Sequence, residues 1–145
     1  MKTDQVATEL EVRATEALKA LLEQVSAIKL KEMQRQSPPR GQAMEILAHI
    51  DVFGHSHTLA CKVNLDTRPG KVRDSLRKLQ DSAAHFAGKA TPVLIAPYLS
   101  PEAQALCKES QAGFLDLEGN ARLSLGEVFI GKRSLHQHSA APTVA

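Results

Sequence analysis

EILAHIDVFGHSHTLACKVN, residues 45–64, decides the fold. Its two ends are apolar runs of aliphatic residues in alternation, and its middle, FGHSH at 53–57, sets a glycine among polar side chains. This pattern predicts a strand over Met44 to Val52 and another over Thr58 to Leu65, folded back as a hairpin with His55, Ser56 and His57 in the turn.

Upstream, Ile28, Leu30, Glu32 and Met33 in IKLKEM alternate with lysines and predict a short strand, broken by Ser37, Pro38, Pro39, Arg40 and Gly41. Before it, Leu10, Ala14, Ala17, Leu18, Leu21, Leu22 and Val25 recur at intervals of three and four, which predicts a helix from Thr8 to Gln24 with Thr8 and Glu11 as a capping box. Downstream, Arg68, Pro69 and Gly70 interrupt the strand pattern. A second helix then places Val72, Leu76, Leu79, Ala83 and Phe86 on one stripe, and Gly88 ends it.

TPVLIAPY is a continuous apolar run, the profile of a strand buried on both faces of a mixed or parallel sheet. Ser100, Pro101 and Glu102 supply an N-cap, a first-turn proline and an early carboxylate, so a third helix should run to about Ser110. FLDLEGNARLSL predicts two strands about a Gly-Asn turn, and Glu127 to Ile130 a last one. The order of helix, three strands, helix, strand, helix and further strands predicts an α/β fold with a central mixed β-sheet flanked by helices. A single domain is expected over residues 1–131, with a disordered tail over 132–145.

The chain has 145 residues, enough for one core without disulfide staples. With 43% apolar and 23% charged residues, a wholly disordered, collagenous or coiled-coil chain is excluded. Aromatics make up only 3%, so a stacking platform of several exposed rings is excluded, and nucleic acid would have to be met through phosphates. The net charge of +2 implies no nucleic acid by itself. No apolar stretch approaches the roughly 20 residues of a spanning helix, and the polar start MKTDQVATELEVR is unlike a signal peptide, so no membrane partner and a cytoplasmic location are expected. Cys61 and Cys107 fit no metal or redox spacing and read as buried hydrophobes.

Charge is concentrated between Lys62 and Lys78, where Lys62, Arg68, Lys71, Arg73, Arg77 and Lys78 outnumber Asp66 and Asp74. Such a stripe either contacts phosphates or is a solvated helix face, since Asp74 is interleaved with the arginines. The pairs His55/His57 and His136/His138 lack the third and fourth ligands of a metal site and read as turn and tail residues. There is no nucleophile elbow, Walker loop or dinucleotide fingerprint. Glu45 and Asp51 on the second strand and Asp66 after the third, with Lys62 alongside, are the ingredients of metal-assisted phosphodiester hydrolysis, although no spacing enforces it.

The order of elements, with residues 45–64, the basic helix and TPVLIAPYLSPEAQALCKESQAGFLDLEGNARL, resembles the PD-(D/E)XK nuclease-like superfamily, which includes restriction endonucleases and Holliday-junction resolvases. The likeness runs from about Leu10 to Ile130, and its second half is similar to small bacterial proteins of this fold that often carry a winged-helix domain. The resemblance implies that an acid opening the second strand and an acid-x-lysine motif on the third hold Mg²⁺ and activate water. The first acid falls on Glu45, with Asp51 as the alternative metal ligand, and the motif falls on Lys62, Val63 and Asn64.

There the chain departs from the pattern, since a cation stands in place of the metal-binding acid and an amide in place of the lysine. The resemblance therefore implies a degenerate, catalytically inactive nuclease fold with no cofactor, in which Lys62 meets Glu45 or a phosphate. DNA would be bound by Lys62, Arg68, Lys71, Arg73 and Arg77. The alternatives are a divergent Mg²⁺-dependent DNA endonuclease and a protein-interaction module such as a homodimer. Gln80 matches a polar position of some relatives and is equally an exposed helix residue.

Overall fold

The computed structural model describes residues 2–35, 45–84, 90–126 and 128–133. In chain order these form α1 (Lys2–Glu23), β1 (Ile28–Arg35), β2 (Ile46–Val52), β3 (His55–Val63), α2 (Pro69–Ala84), β4 (Thr91–Ala96), α3 (Pro101–Glu109), β5 (Gly113–Asp116), β6 (Ala121–Leu125) and β7 (Val128–Lys132). The strands make one seven-stranded sheet, mixed as expected, and within it they lie in sequence order. β3, β4 and β5 are parallel to one another, and the remaining neighbours are antiparallel.

Side-chain alternation assigns the two faces. Ile46, Ala48, Ile50, Leu59, Cys61, Val93, Ile95, Leu115, Leu123 and Leu125 point to one side, where Leu10, Ala14, Leu18, Leu21 and Leu22 of α1 close over them. Leu47, Ala60, Leu94, Ala96 and Phe114 point to the other, against Val72, Leu76 and Leu79 of α2 and Ala103 and Cys107 of α3. Each fully buried Leu or Ile stabilises by about 1.5–3 kcal/mol relative to exposure, so the aromatic-poor core holds through number instead of size. Burial pushes both thiols up, Cys107 to about 12, as expected of hydrophobes.

Three boundaries differ from expectation. α1 begins six residues earlier, at Lys2, so Thr8 lies inside the helix and not at its N-terminus. The hairpin turn is only Phe53 and Gly54, with Val52 paired to His55, so His55, Ser56 and His57 belong to β3 and not to the turn. Positive φ at both turn residues, 51° and 82°, matches the right-handed twist of the flanking strands. The Phe53 amide, donated to Ala27 O at 2.9 Å, ties the turn to the start of β1 and holds a non-glycine residue in that conformation. Lastly, β7 runs to Lys132, one residue into the expected tail.

The third helix starts as predicted. Ser100 accepts from the Ala103 amide at 3.1 Å, and Pro101 follows. Its end is a Schellman motif in which Ala112 N donates to Cys107 O and Gln111 N to Lys108 O, with Gln111 at φ 58° where glycine is usual. The expected break at Ser37 to Gly41, and Met44, Phe86, Gly88, Glu127, His136 and His138, lie outside the described residues.

Candidate functional site

Glu45 immediately precedes β2, and its amide donates to Cys61 O at 2.8 Å, which fixes the side chain at the C-terminal end of β3. Its Oε1 accepts from the Val63 amide at 2.9 Å and from Lys62 Nζ at 3.4 Å. Both side chains are largely shielded, 25% exposed for Lys62 and 17% for Glu45, so this ion pair is better protected from water than a surface pair. The hairpin thus brings Lys62 to Glu45, one of the two contacts that the resemblance implies for this lysine, the other being a phosphate.

A residue that local spacing did not single out completes the cluster. Glu11, on α1, stands close enough to Glu45 for the two carboxyls to act on each other. Burial first, then the Glu45 charge and hydrogen bond, push the Glu11 carboxyl above the usual carboxylate range, while Arg35 and Lys62 pull it back. Nothing in the periodicity could reveal this, because the helical phase marks the buried stripe of α1 and Glu11 is on its margin.

The remaining carboxylates go elsewhere. Asp51 pairs with Lys31 Nζ at 3.2 Å and meets Ser56 Oγ at 3.5 Å. Six residues of strand at about 3.3 Å each separate it from Glu45 by roughly 20 Å, so Glu45 and Asp51 cannot share an ion. Asp66 is taken by Arg68, whose guanidinium reaches Oδ1 at 3.0 Å and Oδ2 at 2.6 Å and holds that carboxyl down at about 2. Asn64 is buried, accepts from Ser75 Oγ at 3.0 Å and donates to Asp66 O at 3.3 Å, while its amide reaches Ile95 O at 2.8 Å. It locks the β3 end to α2 and β4 and presents nothing to a substrate.

Among the described residues no group of three His, Cys, Asp or Glu is arranged to hold a metal. At the resemblance-implied position an ammonium stands where the metal-binding acid would be, and an ammonium is not a Mg²⁺ ligand, while the Asn64 Oδ1 in the place of the motif's lysine already accepts from Ser75. Glu11 and Glu45 together offer two carboxylates, with Lys62 already on Glu45.

The five predicted phosphate contacts divide. Arg77 pairs with Asp74 at 3.5 Å and Arg68 with Asp66, both on the surface. Lys62 pairs with Glu45, whereas Lys71 and Arg73 are exposed on α2 and enter none of the ion pairs between described residues. Gln80 donates to Ser110 O, clamping α2 to the end of α3. His55 and His57 are spread along β3, and His49 Nδ1 meets Thr58 Oγ1 at 3.3 Å across the β2–β3 ladder.

Asp116, at the end of β5, is the other feature that the motif search passed over. It is 1% exposed, and its carboxylate accepts from Leu99 N, Glu118 N, Asn120 N and Asn120 Nδ2 at 2.8–3.0 Å. These four bonds fasten the β5–β6 turn to the entry of α3. The segment LDLEGN carries this Asx-type capping signal two positions before its Glu-Gly-Asn.

No family model matches the chain, and no curated protein does. Among solved structures it is similar to a repair endonuclease from Pyrococcus abyssi, with a TM-score of 0.46 and 16% identity, covering 70% of this chain and 46% of that one. It is also similar to EndoMS in its apo form, with a TM-score of 0.41 and 12% identity, covering 72% of this chain and 45% of that one. The chain thus spans less than half the length of each. No helix of the described residues is long and apolar enough to cross a membrane.

Proposed function

We propose that this chain is a nuclease-fold nucleic-acid-binding module that does not cleave. It contacts the phosphates of duplex DNA through Lys71 and Arg73, with Lys62, Arg68 and Arg77 around them. The single observation that carries the reading is Lys62 Nζ at 3.4 Å from Glu45 Oε1, a cation seated on the carboxylate where the fold's catalysts would hold Mg²⁺. A lysine there repels a divalent ion and leaves the neighbouring positive charge of α2 free to meet phosphate.

Duplex binding measured by fluorescence anisotropy tests this. Lys71 and Arg73 alone give a salt slope near −1.8 and roughly a tenfold loss of affinity between about 50 and 200 mM salt, while engagement of all five cations gives about −4.5 and a several-hundredfold loss. Arg73→Glu should remove most of the binding. Absence of binding at about 50 mM salt, or salt-independent binding, overturns the reading.

A divergent Mg²⁺-dependent nuclease is the second reading, favoured by Glu11 beside Glu45. When bound there, the metal would supply Lewis-acid activation of a phosphoryl oxygen. Calorimetric Mg²⁺ binding lost in both Glu11→Gln and Glu45→Gln, together with plasmid cleavage lost in the same variants, would establish it. An intact plasmid at saturating Mg²⁺ and Mn²⁺ would remove it.

A further inference from the structure

The helices cover only part of their face of the sheet. α2 and α3 close over β3, β4 and β5, and no residue of β6 or β7 belongs to their cores. On that side Arg122, Ser124, Phe129, Gly131 and Arg133 are exposed, whereas their alternates Ala121, Leu123, Leu125 and Ile130 are buried under α1. A trough of about 300 Å³ runs along this open half, lined among others by Gln104 and Lys108 of α3 and by Arg122, Phe129 and Arg133. A second hollow, again lined by Lys108 and Arg122, continues it past Gly113 toward Thr91. Among the described residues no Asp or Glu lines either hollow. Lys108, Arg122 and Arg133 enter none of the ion pairs between described residues.

Phe129 gives the trough a second character. It is 57% exposed, which is unusual for a ring in an aromatic-poor chain. Its ring edge lies against Gly131, where a Cβ would come within 2.9 Å of Cε2, and the Arg122 guanidinium sits over the ring, 4.9 Å from its centroid. Gly131 thus leaves room for the ring beside the strand, and Arg122 sets a guanidinium against it to make one positively charged aromatic patch. Unpaired bases stack on aromatic rings and on guanidinium planes, and duplex pairing hides their faces from such a surface.

We propose that the open β6–β7 half of the sheet binds single-stranded nucleic acid, with backbone phosphates on Lys108, Arg122 and Arg133 and an unpaired base on the Arg122–Phe129 stack. The composition excludes a platform of several rings, but one ring suffices for one base. The inference deepens the nucleic-acid reading above by naming a strand class. It shares no residue with the α2 surface, from which α3 separates it.

The test is anisotropy of a labelled oligothymidylate of roughly 12 nucleotides with the full chain. Three phosphate contacts give a salt slope near −2, a roughly twentyfold loss between about 50 and 200 mM salt. Phe129→Ala should weaken binding roughly five- to a hundredfold. Lys108→Glu with Arg122→Glu should abolish it, and Arg73→Glu should leave it within about twofold. An unlabelled single strand should compete better than a duplex of the same length.

Absence of binding at about 50 mM salt, an unchanged Phe129→Ala, or better competition by the duplex overturns the proposal. So does an equal loss in Arg73→Glu, which would place the strand on α2. Phe129→Leu, which keeps apolar cover over Gly131 without the ring face, should behave like Phe129→Ala, and retained affinity in that variant also counts against stacking. Failure of the α2 reading shows separately, as loss of duplex binding with the single strand still held.

Discussion

Replacing Asp116 should cost more stability than any other single polar change in the described chain, and the structure sets the amount. Its carboxylate accepts from four donors, of which Leu99 N and both Asn120 groups belong to buried residues and Glu118 N to a half-buried one. Hydrogen bonds to a charged group contribute about 1.5–3 kcal/mol each, and water can replace only the acceptor lost by Glu118. Asp116→Ala should therefore destabilise by about 4 kcal/mol, a large share of the roughly 5–15 kcal/mol a domain possesses.

In urea, with a slope of about 2 kcal/mol per molar, the unfolding midpoint should fall by about 2 M. Asp116→Asn should lose about half as much. Oδ1 serves Glu118 N and Asn120 N while Oδ2 serves Leu99 N and Asn120 Nδ2, so whichever way the amide is turned its NH₂ confronts two donors. A loss below about 1 kcal/mol for alanine, or a wild-type midpoint for asparagine, would refute the account.

Gln111→Gly should stabilise by up to about 1 kcal/mol in the same denaturation assay, because φ of 58° strains a residue with a Cβ while the Schellman bonds use only the backbone. Glu11 holds its proton more tightly in the folded state than its ordinary 4.5, so its contribution is complete below that value and is lost as pH rises. Stability followed upward from pH 4.5 should fall more in the wild type than in Glu11→Gln, and equal profiles would refute this. Asp66 works in the opposite direction, its pairing being present above 3.8 and lost as pH drops toward 2, with a small effect because the pair is exposed. Gly113→Ala should destabilise, since its Cβ would stand 2.5 Å from Leu123 Cδ2 and 3.0 Å from Arg122 O; melting temperature reads this out. Cys61 and Cys107 should resist a thiol reagent until the chain is unfolded in denaturant, as both are buried with raised pKa.

The amino-acid sequence by itself determined the element order, the buried character of β4, the start of α3 at Ser100 and Pro101, and the pairing of β2 with β3. All of these are local signals, carried by side-chain period or by a cap within a few residues. The meeting of Lys62 with Glu45 was one of two contacts that the resemblance implied, a phosphate being the other, and the hairpin register realises it. The two-residue turn was not legible, since a positive φ at Phe53 is held by the hydrogen bond that Phe53 N donates to Ala27 O and is not written in a residue type that favours it.

Tertiary structure alone decided the rest. It carried Glu11 to Glu45 from far away in sequence, through the packing of α1 on the sheet. It also left β6 and β7 beyond the reach of α3, so that Arg122, Phe129, Arg133 and Lys108, scattered over three elements, share one uncovered surface. Periodicity states which face of an element is apolar; which elements meet, and where a sheet is left bare, depends on helix length and sheet width, which no local pattern encodes.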